Sequence, residues 1–227
     1  MKFNYRTEIP QLLLIVGMFI MAAFTWSSAP DQIPVHWNLS GEVDRYGGKF
    51  EGLSGLPLIT LALYFLLLFI PRIDPGHANY ERFANTYAII RCTIIAFMSI
   101  IYGIIQLAIA GHPVNVNAVI PLTVGILFFV LGNFMGKIRP NWFVGIRTPW
   151  TLSSKASWNK THRVGGWLFI LMGLSIAASG LIRAKWAYIG MCTIVVANLV
   201  WMVYYSNLIW RNDPDRIPPA GTTPGPG

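Results

Sequence analysis

The sequence predicts an all-α membrane protein whose six transmembrane helices form a bundle. Hydrophobic residues make up 54% of its 227 residues and charged residues only 11%, whereas soluble domains carry about 25% charged residues. Six long apolar runs alternate with polar segments, and each run approaches the roughly 20 residues that a helix needs to cross a hydrocarbon core about 30 Å thick. Basic residues concentrate in alternate connections between these runs, which is the charge pattern of multi-pass membrane proteins.

The first apolar run resembles a secretory signal, because Lys2 and Arg6 precede it. We nevertheless predict a retained helix, since the run is long enough to span a membrane and Pro30 follows the only small-residue cleavage site. The second and fifth runs contain 19 and 18 residues and still lie within the spanning range. The predicted spans are residues 9–28, 53–71, 87–110, 118–135, 165–182 and 186–208.

The distribution of Lys and Arg predicts that both termini face the cytoplasm. Twelve of these residues fall in the amino-terminal segment, the second and fourth connections and the tail, whereas four fall in the other connections. Because basic residues resist translocation, the larger set is assigned to the cytoplasm and segment 29–52 to the outside. Arg91 lies about one turn into the third predicted span, and we expect its side chain to extend to the cytoplasmic interface.

Two membrane regions and a tail are predicted. Residues 1–110 form an N-terminal region of three helices with an extracytoplasmic motif loop at 29–52. Residues 111–210 form a second region of three helices with a cytoplasmic motif loop at 136–164. Residues 211–227 are rich in Pro and Gly, and we expect them to form a disordered tail.

The charge distribution argues against several classes of function. No Asp or Glu lies within a predicted span, whereas proton relays and ion-coupled carriers usually place carboxylates at membrane depth. The net charge of +8 is explained by topology signals and lipid headgroup contacts, so direct nucleic acid binding is not expected. The His and Cys residues lack the spacing of a metal site, and we predict no metal, no cofactor and no enzymatic activity.

The outer segment, 29–52, is predicted to form a small ordered cap. Val35, Trp37 and Leu39 alternate with polar residues, a period of two that predicts a short strand, and the following SGEVDRYGG supplies turn residues. The four carboxylates of the segment outnumber its two basic residues. We therefore expect the cap to be mildly acidic and to attract a cationic partner.

The loop at 136–164 is basic and contains no carboxylate. No Asp or Glu occurs anywhere between Arg82 and Asn212, so the loop cations cannot be neutralised by their sequence neighbours. Their expected partners are Asp74 or Glu81 of the second connection, the tail aspartates, helix carboxyl ends, lipid phosphates or another molecule.

A short helix is predicted from about residue 154 to 164. Lys155, Trp158, Asn159 and His162 fall on one face of such a helix. Composition alone favours an interfacial helix with Trp158 at headgroup depth.

Two stretches resemble known bacterial membrane families. IPVHWNLSGEVDRYG (33–47) resembles the P-x-H-[WF]-N-x-x-G-x-x-D motif of a small membrane domain of unknown function. GKIRPNWFVGIRTPWTLSSKASWNKTHRVGGW (136–167) resembles the signature of the SdpI-type immunity protein family. The residues that stand where this family pattern has them are Asn141, Gly145, Arg147, Thr148, Pro149, Trp150, Thr151, Leu152, Trp158, His162 and Gly165.

The resemblance implies an integral immunity protein of the bacterial cytoplasmic membrane that protects the cell against a secreted peptide toxin. It also implies signal transduction, in which toxin is sensed outside and a cytosolic transcription repressor is held at the cytoplasmic face. The residues expected to bind toxin are His36, Trp37, Asn38, Gly41 and Asp44. The residues expected to bind a cytoplasmic partner or an anion are Asn141, Gly145, Arg147, Thr148, Trp150, Thr151, Trp158, His162 and Arg163.

Two other hypotheses remain open at this stage. In the first, the basic loop binds anionic lipid headgroups as part of a membrane carrier or enzyme, with Arg147 and Arg163 clamping a phosphate. The acids and bases available to such an enzyme are His162, His77, Asp74 and Glu81. Their spacing marks no active site. In the second hypothesis, both polar segments only brace the bundle.

Overall fold

The computed structural model describes residues 4–38 and 41–217. Within these residues, six helices are long and apolar enough to cross a membrane, which confirms the predicted all-α six-helix bundle. The elements are α1 (Tyr5–Thr25), β1 (Ile33–Trp37), β2 (Val43–Gly47), α2 (Gly55–Ile73), α3 (Ala84–Ile109), α4 (Val116–Met135), α5 (Pro149–Leu152), α6 (Lys155–Ile182) and α7 (Lys185–Arg211). A π-helical turn at Phe50–Ser54 leads into α2, and a 3-10 segment at His77–Phe83 leads into α3.

The helix α6 is longer than the fifth predicted span. It runs without interruption from the predicted short helix into that span, so the two are one element. Ser154 caps its start, because the hydroxyl accepts a hydrogen bond from the Ser157 N–H at 2.9 Å. The basic loop is therefore joined directly to a membrane-spanning helix.

Glycines allow α4 and α6 to approach each other closely. A Cβ atom on Gly125 would lie 2.5 Å from the carbonyl oxygen of Gly173, and one on Gly132 would lie 2.7 Å from that of Gly166. In each helix the two glycines at these contacts lie seven residues apart, a spacing that keeps them on one face. Small residues at such contacts bring helix backbones into van der Waals contact, which matters in lipid because no hydrophobic force drives helices together there.

The Arg91 side chain does not extend to the surface of the protein, contrary to the prediction. Its side chain is fully buried, and its two terminal nitrogens donate to the two carboxylate oxygens of Glu8 at 2.9 and 2.8 Å. The Tyr64 hydroxyl donates to the same carboxylate at 2.9 Å. Because α1 begins at Tyr5, Glu8 lies inside the first span, and the expectation that the spans lack carboxylates is also wrong. The bidentate pair gives each charge an opposite charge at hydrogen-bond distance, which lets both stay buried.

The strands β1 and β2 form an antiparallel hairpin after α1, in which Ile33 pairs with Gly47. The predicted strand is present but begins two residues earlier than expected, and its Leu39 lies outside the described residues. Residues 43–47, predicted to be turn, form β2. Because these residues are largely polar, the sequence pattern does not reveal the strand. It forms because β1 offers a backbone to pair with. The buried side chain of Ile33 packs with Leu53 and anchors the hairpin on the bundle.

The connections gather at two opposite ends of the bundle. The hairpin end consists of the hairpin and the α3–α4 and α6–α7 connections, and there Gly41 packs on Asn117 of α4. The loop end consists of the start of α1, the 3-10 segment, the loop before α6 and the residues after α7. There the N–H of Trp142 donates to the Asp74 carboxylate at 3.0 Å. The two motif segments therefore lie on opposite sides of the membrane-spanning part.

The first residues of the predicted tail contact the segment before α6. Asp213 is buried and accepts a hydrogen bond from the Ser154 hydroxyl, and the N–H of Ile217 donates to the Ser153 carbonyl at 3.0 Å. The rest of the predicted tail, 218–227, lies outside the described residues.

Candidate functional site

The structure gathers the residues of the predicted toxin site in the hairpin and its turn. Across the strands, Nδ1 of His36 lies 2.5 Å from a carboxylate oxygen of Asp44. Asn38 closes the turn, because its side-chain oxygen accepts a hydrogen bond from the Glu42 N–H at 3.0 Å. Gly41 adopts a φ of +77°, which residues with a Cβ rarely adopt.

A cavity of about 820 Å³ lies beneath the hairpin, within the range of about 300 to 1,000 Å³ that is typical of ligand sites. Three residues of the predicted toxin site, His36, Trp37 and Asn38, contribute to its lining. The remaining walls come from α2, α3, α4, α6 and α7 and are largely apolar. Arg183 and Lys185, in and beside the α6–α7 connection, add two positive charges.

Sequence reasoning did not include Arg183 and Lys185 in the site. The chain separates His36 from Arg183 by 147 residues, so no local spacing connects them. The available signal was topology, because both basic residues belong to the small set assigned to the outside.

The carboxylates of the hairpin have local partners. Glu51 pairs with Arg45 at 2.6 Å, and Asp31 pairs with Lys49 at 3.5 Å. These two pairs reduce the negative charge that the hairpin presents. Since exposed ion pairs are weak, a cationic ligand can compete for the carboxylates.

At the loop end, Asn141 organises the turn that follows α4. Its side-chain oxygen accepts hydrogen bonds from the N–H groups of Phe143 and Val144 at 2.9 and 2.6 Å. Its amide nitrogen donates to the carbonyls of Arg139 and Val144, both at 2.9 Å. Because Asn141 is also buried, it maintains the shape of the turn and offers no free surface to a partner.

His162 lies beneath the loop with both ring nitrogens bonded to backbone. Nε2 accepts a hydrogen bond from the Ile146 N–H at 3.0 Å, so Nδ1 carries the proton and donates to the Trp158 carbonyl at 2.8 Å. Gly145 crosses the ring with a φ of +113°, and a Cβ there would collide with Nε2. The Trp158 indole stacks on the imidazole at a centroid distance of 4.1 Å and donates to the Ile138 carbonyl at 2.9 Å.

Trp158 faces the protein interior and not the lipid headgroups, contrary to the expectation of an interfacial tryptophan. Its side chain is fully buried in a core cluster that includes Tyr80. Of the four residues predicted to share a face, Trp158 and His162 point into the core, whereas Lys155 and Asn159 are exposed. The indole can be buried because its N–H has a backbone acceptor and neighbouring aromatic residues cover its rings.

A capping box connects the loop to α7. The Thr148 hydroxyl accepts from the Thr151 N–H at 3.1 Å, and the Thr151 hydroxyl accepts from the Thr148 N–H at 2.9 Å. The Thr148 hydroxyl also donates to the Ser206 hydroxyl at 2.9 Å. The Ser157 hydroxyl donates to the Ser206 carbonyl at 2.8 Å. Ser206, which sequence reasoning missed, thus fastens the loop and the start of α6 to α7.

The exposed members of the predicted cytoplasmic set are Arg147 and Arg163, and Trp150 is partly exposed. Arg147 donates to the Trp142 carbonyl at 2.7 Å. Asp74 contacts the loop as one of its expected partners, but it accepts from the Trp142 N–H and pairs with no cation. Across residues 4–38 and 41–217, no cation of the basic loop forms an ion pair with a carboxylate.

Two of the four acids and bases considered for catalysis are committed to the fold. Both nitrogens of His162 are bonded to backbone groups. Asp74 accepts from the Tyr80 hydroxyl at 2.8 Å and from two backbone N–H groups. His77 and Glu81 are exposed on the 3-10 segment.

Comparisons with known proteins cover both motif segments. Residues 137–205 match the family model described as SdpI/YfhL protein family, and residues 13–61 match that of a domain of unknown function, DUF1648. Over 203 residues the chain is 22% identical to Immunity protein SdpI of Bacillus subtilis (strain 168), with 86% of this chain and 91% of that protein covered. No solved structure matches the chain. The chain is therefore a multi-pass membrane protein that is similar to the SdpI/YfhL protein family over residues 137–205.

Proposed function

We propose that the protein is a membrane immunity protein that protects its cell against a secreted peptide toxin. The observation that carries this proposal is the similarity to Immunity protein SdpI of Bacillus subtilis, which extends over 86% of the chain. The six membrane-spanning helices support it, because a toxin that acts on the cell from outside is met first at the membrane.

The proposed location is the bacterial cytoplasmic membrane, with both termini in the cytoplasm and the hairpin outside. The excess of Lys and Arg at the loop end supports this orientation, because basic residues are retained on the cytoplasmic side. The hairpin then faces incoming toxin, and the basic loop faces cytosolic proteins and the anionic headgroups of the inner leaflet.

The proposed toxin contact is the hairpin surface formed by His36, Trp37, Asn38, Gly41 and Asp44. The side chains of His36 and Asp44 remain 63% and 41% exposed although they are paired. A cationic or amphipathic peptide can therefore reach the Asp44 carboxylate without first unfolding the hairpin. Trp37 offers an aromatic surface beside this charged group, a combination that is common where peptides bind.

The proposed signal runs along α6. This helix contributes Ser179 to the cavity beneath the hairpin, and its first two turns hold Trp158 and His162 against the basic loop. A toxin that favours one packing of α6 would thereby alter the loop, where Arg147 and Arg163 are exposed to a cytosolic repressor. Such coupling requires two arrangements of the bundle with different toxin affinities.

The experiment that tests the site is survival of a toxin-sensitive strain that expresses the wild type, Trp37→Ala, Asp44→Ala or Arg147→Ala. Tyr46→Ala is the matched control for the hairpin, because Tyr46 is exposed there but lies outside the proposed contact. Membrane abundance is measured for every strain. Lower survival with Trp37→Ala or Asp44→Ala, at normal abundance, supports the toxin contact. Unchanged survival with all three variants removes the site assignment.

A second candidate function is the binding of anionic lipid headgroups by the basic loop, as part of a carrier or an enzyme. The observation that favours it is the absence of ion pairs between the loop cations and carboxylates in the described parts of the chain. Lipid that copurifies with the wild type and is lost with Arg147→Ala supports this function. A bound peptide or repressor supports the first.

A further inference from the structure

We propose that the cavity beneath the hairpin binds one anionic phospholipid, with its phosphate at Arg183 and Lys185 and its acyl chains along the isoleucines of α3 and α4. This site goes beyond the proposed immunity function and does not depend on it. The proposal rests on the order of polarity in the cavity, on two cations without carboxylate partners and on the backbone of Arg183.

The polarity of the cavity changes along the bundle axis. Its lining on α3 extends from Ala108, near the helix end, to Ile101, a distance of about 10 Å at 1.5 Å per residue. The deeper walls are aliphatic, whereas Arg183 and Lys185 lie at the helix ends of the α6–α7 connection. The cavity therefore has a charged edge at the level of the helix ends and an aliphatic wall below it. A phospholipid in a leaflet has the same order, with a charged headgroup above aliphatic acyl chains.

Arg183 and Lys185 are available for a phosphate. Both side chains are exposed, and within the described residues neither forms an ion pair with a carboxylate. The other two basic residues of the hairpin end, Arg45 and Lys49, are paired with Glu51 and Asp31. The cavity therefore presents the cations of this end that have no carboxylate partner.

The backbone of Arg183 is unusual for an arginine. It ends α6 with a φ of +53°, and it is the one non-glycine residue with a positive φ in the described residues. Glycine adopts this helix-ending conformation at lower cost. A glycine would therefore suit this backbone conformation better. The arginine that stands here instead adds a guanidinium group to the edge of the cavity.

Charge complementarity selects an anionic amphiphile over a cationic peptide. A cationic toxin is repelled by Arg183 and Lys185, whereas a phosphate accepts charge-assisted hydrogen bonds from both. The proposed toxin contact depends on the Asp44 carboxylate, which does not line the cavity, whereas His36, Trp37 and Asn38 belong to both sites. Tyr188, one turn into α7, also lines the cavity, and tyrosine is typical of the headgroup level of a bilayer.

The test uses the full-length protein in detergent and three probes: dihexanoyl phosphatidylglycerol, dihexanoyl phosphatidylcholine and glycerol phosphate. Binding is titrated with the wild type, with the double variant Arg183→Gln/Lys185→Gln and with Lys137→Gln/Arg139→Gln, which removes two cations from the loop end. We expect the wild type to prefer phosphatidylglycerol over phosphatidylcholine by about 30-fold, as two near-surface cations worth about 1 kcal/mol each would produce. The first double variant loses this preference and the second keeps it.

A variant that fills the cavity tests the acyl-chain part of the proposal. Ala108→Phe leaves both cations in place, and we expect it to weaken binding of both dihexanoyl lipids while its elution profile and melting temperature show a folded protein. Should Ala108→Phe fail to fold, Ile104→Phe, on the same wall, replaces it.

Three outcomes would overturn the proposal: equal affinity of the wild type for the two lipids, glycerol phosphate binding as tightly as phosphatidylglycerol, or a preference that only the loop-end variant abolishes. None of them bears on toxin survival, so failure of this site and failure of the immunity function are distinguishable.

Discussion

Nε2 of His162 lies directly against Gly145, and the same nitrogen accepts the N–H of Ile146 at 3.0 Å. The loop can pass over the imidazole ring only because residue 145 has no side chain. Five positions of the predicted cytoplasmic set, Asn141, Thr148, Thr151, Trp158 and His162, are buried at this end. Their hydrogen bonds join the loop to itself and to α6 and α7, which leaves Arg147 and Arg163 as the exposed charges of that predicted set.

We predict that Gly145→Ala destabilises the protein by about 1–3 kcal/mol, the cost of a non-glycine residue in a left-handed region, and by more if the ring is displaced. The measurement is thermal unfolding in detergent. Gly48→Ala is the matched control, because a Cβ there meets nothing within 4 Å and its φ is not positive. Equal melting temperatures for the two variants would contradict the role of this contact.

We predict that Glu8→Gln destabilises the bundle by about 3–5 kcal/mol, because it leaves the buried Arg91 guanidinium without a counter-charge. The double variant Glu8→Gln/Arg91→Gln is expected to recover part of this loss, since no net charge then remains buried. Unfolding is followed in detergent at constant pH. Glu51→Gln, which breaks the exposed pair with Arg45, is the control and is expected to cost less than about 1 kcal/mol. A Glu8→Gln effect as small as the control's would show that this pair is not buried in the folded protein.

We predict that Gly132→Ala separates α4 from α6 and destabilises the protein by about 1–3 kcal/mol, as overpacking does in well-packed cores. Gly190→Ala, in α7, has open space around the added methyl group and serves as the control. On helix propensity alone both changes are favourable by about 1 kcal/mol. Stabilisation by Gly132→Ala equal to that by Gly190→Ala would therefore argue against close packing of these helices.

We predict that the hairpin and the loop end label from opposite sides of the membrane. Tyr46→Cys and Trp142→Cys are a matched pair, because the native side chains are 55% and 53% exposed. Each is placed in a protein in which Cys92 and Cys192 are replaced by Ala, and intact cells are treated with a membrane-impermeant maleimide. Residue 46 is expected to react in intact cells and residue 142 only after permeabilisation. Labelling of both from one side would eliminate the receptor arrangement.

The proximity of the residues in the predicted toxin site could be foreseen because they lie close together in the chain. His36 and Asp44 are eight residues apart, so a short motif contains them both. The cavity was not predictable in this way, since Arg183 and Lys185 come from a connection far along the sequence. At the loop end, the spacing of Trp158 and His162 identified a shared helix face but not which residues of that face are buried.

The sequence by itself determined the number of membrane helices, the basic character of the loop and the similarity to the SdpI/YfhL protein family, because each is a property of a contiguous stretch. Transfer of an apolar run into lipid depends on the composition of that run and on little else. The tertiary structure alone decided the partner of Arg91, which lies 83 residues from Glu8, the burial of Trp158 and the cavity that Arg183 shares with the hairpin. These depend on which surfaces other helices place against each residue, and a charge or an indole is buried only where such a neighbour satisfies its polar groups.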